Sequence, residues 1–325
     1  MLVGLVLTLA LTALDSTVVA TAVPAIVHDL SGFSLFPWLF SIYLLVQAAV
    51  IPIYGKLADI YGRKPILIAG TIIFLAGSAL AGVSWSMVAL IVFRGFQGIG
   101  GGAISSVTFT VVGDLYSVEE RGRVQGWLSS VWAVAGVIGP LIGGFFAEYA
   151  SWRWIFLINV PIGAAALALI AVFLRERVER LRHRIDFAGA GFMLLAGAAL
   201  IFGLLQGGQV WPWLSPPSIG VFAAAVVLIG ITVLVERRAA EPIMPGWLWR
   251  RPVLTGANLA MVGMGLVMMG PNAYLPTFAQ SVLGLGAIGA GLVLATMSIG
   301  WPLASSLSGR MYLRIGFRDT ALTGS

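Results

Sequence analysis

The sequence predicts an all-α polytopic membrane protein with about ten transmembrane helices. Of its 325 residues, 59% are hydrophobic and only 10% are charged, and the mean hydropathy is +0.99. Soluble domains carry about 25% charged residues, so this composition excludes a water-facing globule, and the abundance of apolar side chains excludes a disordered chain. The apolar stretches are about twice as long as the strands of a membrane β-barrel, so we expect them to be helices.

Ten apolar stretches follow one another along the chain, each close to the roughly 20 residues with which a helix crosses a bilayer. They cover 2–24, 36–54, 66–84, 87–112, 124–147, 154–174, 187–206, 217–235, 253–276 and 286–307. No basic segment precedes the first stretch and no small-residue cleavage site follows it, which indicates a retained span rather than a signal peptide. We expect a lipid bilayer to surround all ten.

The basic residues are distributed unevenly between the two sides that these spans define. All but two of the 19 Lys and Arg residues follow even-numbered spans, the exceptions being Arg94 within span 4 and Arg153 after span 5. Basic loops remain on the cytoplasmic side, so the bias predicts a multi-pass protein of the cytoplasmic membrane with both termini inside. The net charge of +6 therefore reflects topology, and no nucleic-acid partner is expected.

Composition also argues against several kinds of chemistry. Cysteine is absent and the two histidines, His28 and His183, are far apart, so neither a thiolate nucleophile nor a Cys/His metal site is expected. The glycines at 98–103 have the spacing of a dinucleotide fingerprint, but they lie inside an apolar span and follow no strand. We therefore expect no enzyme activity, no metal and no cofactor.

The segment after span 2 carries the most specific motif, G-K-L-A-D-I-Y-G-R-K at 55–64. Its glycines allow a tight turn between packed helix ends, and its acid lies among basic residues as an ion-pair latch. An ordinary basic loop explains the charges but not the glycine and aspartate spacing. The string resembles the signature loop of the major facilitator superfamily at all main positions except Ile60. The predicted gating-loop residues are Gly55, Asp59, Gly62, Arg63 and Lys64.

A second, weaker copy of this string follows span 10 at 309–318, with Leu313 in place of the acid. The resemblance implies two repeated halves, with two additional helices between them because twelve-span members carry the second copy after span 8. It thus implies a fourteen-span plan, of which the chain is a C-terminally truncated part that does not transport alone and is monomeric if complete. The predicted division is a six-helix half at 1–174, two inserted helices with linkers at 175–251, and an incomplete second half at 252–325.

Two ionisable residues lie inside predicted spans, where each costs about 2.5–3.5 kcal/mol at the helix centre. Asp15 belongs to a string at 14–24 that, like the string at 152–163, resembles the fourteen-span drug:proton antiporter branch. Arg94 belongs to R-G-F-Q-G, which resembles the superfamily's intramembrane arginine motif. We expect Asp15 to exchange a proton and Arg94 to regulate its charge. The alternatives are a helix-cap position for Asp15 and a structural tie to helix carbonyls for Arg94.

Span 5 carries G-V-I-G-P-L-I-G-G at 136–144, which resembles the glycine-rich antiporter pattern with a shortened first spacing. Glycines four apart permit close helix approach, and the proline removes a hydrogen bond and bends the helix. These features are typical of a gating helix and equally of plain close packing. The residues concerned are Gly136, Gly139, Pro140, Gly143 and Gly144.

Other polar residues complete the set of candidates. Asp114 lies on the same predicted side as Arg63 and by resemblance pairs with the signature loop, although a plain surface position explains it equally well. No acidic or basic residue occurs between Arg251 and Arg310, so spans 9 and 10 add no charged site. The candidate cavity-lining residues are Gln47, Gln97, Asn159 and Asn272.

The resemblance implies a secondary transporter that exchanges cytoplasmic amphipathic or cationic small molecules for external protons. A dedicated exporter of one endogenous metabolite would share its fold and coupling. A membrane protein without transport activity, such as a sensor or an inactive truncated chain, is the third hypothesis. A flux screen over cationic dyes and neutral metabolites distinguishes the three, because they predict broad efflux, one substrate and no efflux.

Overall fold

The computed structural model describes residues 1–174, 176, 186–208, 210–243 and 246–296, together with residues 311, 314, 316 and 319. Within these residues the secondary structure is helical, apart from one isolated β-bridge between Gly207 and Trp211. Nine helical segments of this part of the chain are long and apolar enough to cross a membrane. The predicted all-α polytopic fold is therefore confirmed, while most of the second signature copy lies outside the described residues.

The described residues form eleven α-helices, numbered here in chain order. They are α1 Leu2–Leu30, α2 Trp38–Tyr61, α3 Arg63–Gly82, α4 Met87–Leu115, α5 Val118–Tyr149, α6 Trp154–Leu157, α7 Asn159–Phe173, α8 Phe187–Gln206, α9 Pro216–Arg238, α10 Pro252–Ser281 and α11 Ala287–Thr296. The short α6 and the longer α7 together form one apolar segment of spanning length, interrupted at Ile158. The first seven helices thus make the first six spans.

The connection between α2 and α3 is shorter than the sequence predicts. Because α2 continues to Tyr61 and α3 begins at Arg63, the prediction of a loop is wrong at Gly55, Asp59, Arg63 and Lys64, which are all helical. Gly62 alone links the two helices, with a φ of 100° that favours glycine. Its N–H donates to the Ala58 carbonyl at 2.9 Å, so the helical hydrogen-bond pattern persists up to the turn itself.

Glycines bring the helices of the first six spans into close contact. On α3, a Cβ at Gly77 would collide with the backbone of Gln97 on α4, and on α4 a Cβ at Gly100 would collide with the backbone of Phe74. Gly98 of α4 approaches the backbone carbonyl of Tyr43 on α2 in the same way. Small residues at such crossings let backbones approach and favour van der Waals packing between membrane helices. The three helices therefore form a tightly packed unit.

The pair α8 and α9 lies beside this unit. Gly197 of α8 faces Leu45 of α2, and the rings of Trp38 and Phe202 lie 6.3 Å apart. Much of α9 is exposed within the described structure, with Val226 at 68%. In a membrane protein such a face is suited to contact lipid.

Candidate functional site

Polar side chains from four helices meet inside the first six spans. Asp15 lies on α1, Tyr43 on α2, Arg94 and Gln97 on α4, and Asn159 at the start of α7. Arg94 and Gln97 are three residues apart and so share one face of α4. Of the charged residues in the described ranges, Asp15 and Arg94 are the two that are buried, each with 1% of its surface exposed.

Arg94 and Asp15 form an ion pair that Gln97 bridges. Arg94 Nη1 lies 2.5 Å from Asp15 Oδ2 and donates to Gln97 Oε1 at 2.8 Å, while Gln97 Nε2 donates to Asp15 Oδ1 at 2.8 Å. Arg94 Nε donates to the Leu39 carbonyl at 3.1 Å. The arginine thus binds both the carboxylate of α1 and a backbone carbonyl of α2.

Asn159 completes what we call the buried polar cluster, consisting of Asp15, Arg94, Gln97 and Asn159. Asn159 Nδ2 donates to Ser78 Oγ at 3.0 Å and lies 3.4 Å from Asp15 Oδ1. Its Oδ1 has no hydrogen-bond partner among the described residues. Asp15 therefore receives hydrogen bonds from α4 and from α7, so a change in its charge acts on both helices.

The remaining two candidate cavity-lining residues lie elsewhere. Gln47 Nε2 donates to Ser105 Oγ at 2.9 Å and reaches the Gly101 carbonyl at 3.4 Å, between α2 and α4. Asn272 Nδ2 donates to the Met268 carbonyl of its own helix α10 at 2.8 Å. The structure thus brings Gln97 and Asn159 to Asp15, but not Gln47 or Asn272.

Aromatic rings enclose the guanidinium of Arg94. Its Cζ lies 4.3 Å from the ring centroid of Tyr43 and 5.8 Å from that of Phe156. Cations within about 6 Å of an aromatic centroid are attracted by its electron-rich face, more strongly when water is excluded. Sequence reasoning missed both rings because an aromatic residue inside an apolar span is ordinary, and only the packing of α2 and α6 against α4 gives them this role.

The signature segment forms a second charged site, the Arg63 cluster of Asp59, Arg63, Asp114 and Glu176. Arg63 Nη2 lies 2.8 Å from Asp59 Oδ1, Arg63 Nε lies 2.8 Å from Asp114 Oδ2, and Glu176 Oε1 is 3.9 Å from Arg63 Nε. These carboxylates come from α2, from the end of α4 and from the segment after α7. One guanidinium therefore connects three parts of the chain at one end of the bundle.

Glu176 also binds the start of α3, a contact that no sequence motif predicts. The backbone N–H groups of Arg63 and Lys64 donate to its two carboxylate oxygens at 2.7 and 2.9 Å. A carboxylate at a helix N-terminus pairs with unsatisfied N–H groups and with the positive end of the helix dipole. Lys64 Nζ donates to the Ala171 carbonyl at 2.6 Å, adding a second link from α3 to α7.

The glycines of α5 face α1. A Cβ at Gly139 would collide with Thr17, and one at Gly143 would collide with the Val18 carbonyl, while Gly136 is buried on the same helix. Thr17 Oγ1 donates to the Ala135 carbonyl at 3.0 Å. The two helices therefore approach closely along the face where the sequence places these glycines.

Pro140 and Gly144 of α5 face α11. A Cβ at Gly144 would collide with the backbone of Ala287, and one at Gly291 would collide with the Pro140 carbonyl. The glycine-rich string thus makes close contacts with two different helices. The sequence predicts close packing along one face of α5 only, because the spacing of the glycines identifies a single helix face. It does not predict the second contact, with α11.

Polar contacts reinforce the approach of α10 and α11 to the first six spans. Glu148 Oε2, at the end of α5, accepts from the backbone N–H of Ile288 in the first turn of α11 at 3.2 Å. Gln280 Nε2 of α10 donates to the Thr21 carbonyl of α1 at 3.0 Å. These contacts lie at the end of the bundle opposite to the Arg63 cluster.

A third charged site lies at this opposite end. Arg153 Nη1 is 2.6 Å from Asp29 Oδ2, and the indole N–H of Trp152 donates to the same oxygen at 3.0 Å. Arg153 Nη2 donates to the Ser84 carbonyl at 3.1 Å. Through these bonds the α5–α6 connection holds the ends of α1 and α3 together.

Two curated bacterial proteins resemble this chain over nearly its whole length. It is 37% identical over 324 residues to the multidrug transporter protein MdtP of Bacillus subtilis (strain 168), which covers 100% of this chain and 60% of that protein. It is 38% identical to multidrug resistance protein 3 of the same organism, covering 98% of this chain and 62% of that protein. The chain thus spans about 60% of the length of these relatives.

Solved transporter structures share the fold. The crystal structure of the peptide transporter POT in complex with sulfate matches with a TM-score of 0.64 at 15% identity, covering 96% of this chain and 69% of that chain. A bacterial homolog of the human lysosomal transporter Spinster, inward-facing and unoccupied, gives 0.63 at 17% identity, covering 96% and 62%. The family model of the Major Facilitator Superfamily matches residues 5–325. With this match and relatives above 30% identity, the chain belongs to the Major Facilitator Superfamily of membrane transporters.

Proposed function

We propose that this chain works in proton-coupled efflux, exchanging amphipathic or cationic small molecules of the cytoplasm for external protons. The observation that carries the proposal is the buried ion pair of Asp15 and Arg94, each 1% exposed. Removing two charges from water is costly even when they pair, and ionisable groups inside membranes mark ion pathways and proton relays. In this proposal Asp15 takes and releases the proton, and Arg94 responds to its charge.

Proton binding at Asp15 would change the cluster without dismantling it. A neutral Asp15 no longer compensates Arg94, but Arg94 keeps its hydrogen bonds to Gln97 and the Leu39 carbonyl. Asp15 also contacts Asn159, so its charge acts on α7 as well as on α4. The cluster thereby has two charge states that favour different helix arrangements, as a population-shift mechanism requires. An inward-moving proton is driven by about 2.3 kcal/mol per 100 mV of membrane potential.

The distribution of basic residues supports an orientation with both termini in the cytoplasm of the cell. The Arg63 cluster then faces the cytoplasm, and the contact of Glu148 with α11 faces outward. Close packing of α11 on Pro140 and Gly144 would seal the outer end. The chain would divide into a six-helix half at 1–174, an inserted pair at 175–251 and the start of a second half at 252–325, and the halves would rock about a midplane cavity.

The Arg63 cluster would stabilise the state in which the cytoplasmic end is closed. Arg63 connects the end of α2 to Asp114 on α4, while Glu176 holds the start of α3. Both contacts join helices within the first six spans, so they make the cytoplasmic end of this half a rigid edge. Such an edge would give the second half of the transporter a fixed surface to pack against when the cytoplasmic end closes.

The names of the two Bacillus subtilis relatives, a multidrug transporter protein and a multidrug resistance protein, support drugs as the substrate class. No acidic or basic residue occurs between Arg251 and Arg310, so the face contributed by α10 would bind substrates through apolar and uncharged polar groups. This favours amphipathic molecules whose cationic group is recognised elsewhere. The alternative of a dedicated metabolite exporter predicts a single substrate and no dye transport.

The substitution Asp15→Asn tests the proposal. In proteoliposomes with an imposed proton gradient and ethidium as probe, we expect proton-coupled ethidium exchange to fall at least about 100-fold, because the amide cannot carry the proton. The matched control is Asp29→Asn, on the same helix at its exposed end, which should retain coupling. Membrane insertion of both variants should be unchanged. Wild-type coupling in the Asp15→Asn variant would overturn the assignment, and wild-type protein that moves one metabolite but no dye would favour the dedicated exporter.

A further inference from the structure

We propose that Tyr43 is a positioning residue whose aromatic ring holds the Arg94 guanidinium in place while Asp15 is neutral. Protonation of Asp15 then changes the packing of the helices, and Arg94 stays in its buried site. The inference rests on the proposed role of Asp15 in proton exchange. It concerns how the cluster survives the loss of its counter-charge, which the ion pair itself does not explain.

The position of the ring carries the inference. Tyr43 is 2% exposed, and its ring centroid lies 4.3 Å from Arg94 Cζ, nearer than the Phe156 centroid at 5.8 Å. Asp15 is the buried carboxylate that compensates Arg94 among the described residues. When it is neutral, the aromatic faces are the closest remaining groups that favour a cation, beyond the hydrogen bonds to Gln97 and the Leu39 carbonyl.

The ring and not the hydroxyl is the functional part. Within the described residues the Tyr43 hydroxyl has no hydrogen-bond partner, although it is buried. Two glycines of α4 make room for this side chain and its backbone. A Cβ at Gly98 would lie 2.7 Å from the Tyr43 carbonyl oxygen, and one at Gly101 would lie 2.7 Å from the hydroxyl oxygen. The packing of α4 therefore sets the ring in a fixed place under the arginine.

The contribution of the ring depends on the charge state of Asp15. With the carboxylate ionised, the ion pair and its hydrogen bonds hold Arg94 and the ring adds little. With the carboxylate neutral, a desolvated guanidinium without the ring would leave its site for water, as uncompensated buried charges do. Two charged groups, Asp15 and Arg94, face the ring from α1 and α4, and α2 and α6 bring no charged side chain to it in the described part of the chain.

A stability cycle tests this dependence without any transport measurement. We expect Tyr43→Leu to lower the Tm of the purified protein by about 2–4 °C more in the Asp15→Asn background than in the wild type. The control is Tyr54→Leu, a largely buried tyrosine about three helical turns farther along α2, whose effect should be equal in both backgrounds because it lies far from the buried polar cluster. Equal effects of Tyr43→Leu in the two backgrounds would overturn the inference.

The pH profile of ethidium exchange gives a second readout that a merely structural role would not move. Without the ring, the neutral state of Asp15 is less well supported, so Tyr43→Leu should shift the half-maximal pH about one unit to the acid side. Tyr43→Phe, which keeps the ring, should restore the wild-type profile. An unshifted profile for Tyr43→Leu, or a Tyr43→Phe profile shifted like it, would contradict the inference. Retained coupling in Asp15→Asn would instead refute the proposed function, whatever the outcome of the stability cycle.

Discussion

Arg94 and Arg63 each pair with carboxylates from other helices, but their surroundings are opposite. The side chains of Arg94 and Asp15 are 1% and 0% exposed, whereas Arg63 is 17% exposed and its partner Asp114 is 51% exposed. Solvent screens the second site and weakens each of its contacts. The first site has no such screening, so the same chemical pair has a much larger energetic role there.

This difference suits the two sites to different roles in the proposed transport mechanism. A buried pair responds strongly to loss of one charge, because the remaining charge is left in a medium of low polarity. The Arg63 cluster has three carboxylates around one guanidinium, so loss of one of them leaves others in place. The buried site is therefore suited to switching, and the exposed site to a tolerant mechanical connection.

The largest expected effect comes from breaking the buried pair on one side. Arg94→Met leaves the buried Asp15 carboxyl without its partner, which should lower the free energy of unfolding by about 3–5 kcal/mol. The matched control Arg63→Met should cost about 1 kcal/mol. Thermal unfolding of the detergent-purified proteins measures both. Equal losses for the two variants would remove the distinction between the sites.

Removing both buried charges should recover most of that loss. The double variant Asp15→Leu with Arg94→Met replaces an ion pair by apolar groups, an exchange that is often neutral or stabilising. We expect a recovery of about 3 kcal/mol relative to Arg94→Met alone, with proton-coupled exchange still absent. A double variant as unstable as the single one would indicate that packing, and not the uncompensated charge, causes the loss.

A smaller effect is expected for Glu176, whose side chain is 14% exposed, more than that of Asp15 and less than that of Asp114. Glu176→Gln keeps the side-chain shape but replaces one acceptor oxygen by a donor facing the α3 backbone N–H groups. Loss of the charge-assisted hydrogen bonds should cost about 1–2 kcal/mol in thermal unfolding. A loss below about 0.5 kcal/mol would mean that the Glu176 contact does not hold the start of α3.

The smallest effect should come from Asp114. Its half-exposed carboxylate contributes less than about 1 kcal/mol to the Arg63 cluster, and added salt should reduce the contribution further. We expect Asp114→Asn to lower the unfolding temperature measurably at low ionic strength and very little in 1 M salt. The variant for comparison is Arg94→Met, whose loss of stability should be nearly independent of salt because its site is buried.

The sequence predicts the fold class and most charged residues of both sites because short local patterns identify them. Apolar length predicts the spans, and Asp15, Arg94 and Arg63 belong to short strings that are recognisable without the fold. Glu176 is 113 positions from Arg63 and lies in no such string. Tyr43 resembles any aromatic residue of an apolar span. Their roles arise only when α2 and α7 pack against neighbours that are distant in the sequence.

The prediction of a loop at 55–65 is wrong for a different physical reason. Gly55 and Asp59 have weak helix propensity, and their charged neighbours favour solvent, so the sequence alone suggests a turn. In the structure the helical hydrogen bonds continue through them, and Arg63 binds Asp59 four residues before it in a helix-like arrangement. Burial of Tyr54 and Ala58 in the packed bundle outweighs the local preference.

The single-residue connection at Gly62 has a mechanical consequence. The 24 residues of α2 and the 20 of α3 make two rods of about 36 and 30 Å that share a pivot at one end. The rods have no slack between them, and glycine contacts hold both against α4, so a displacement of one rod is passed to the other with little loss. The two helices would therefore move together as one lever about 30 Å long, and a longer linker in place of Gly62 would let each rod move alone.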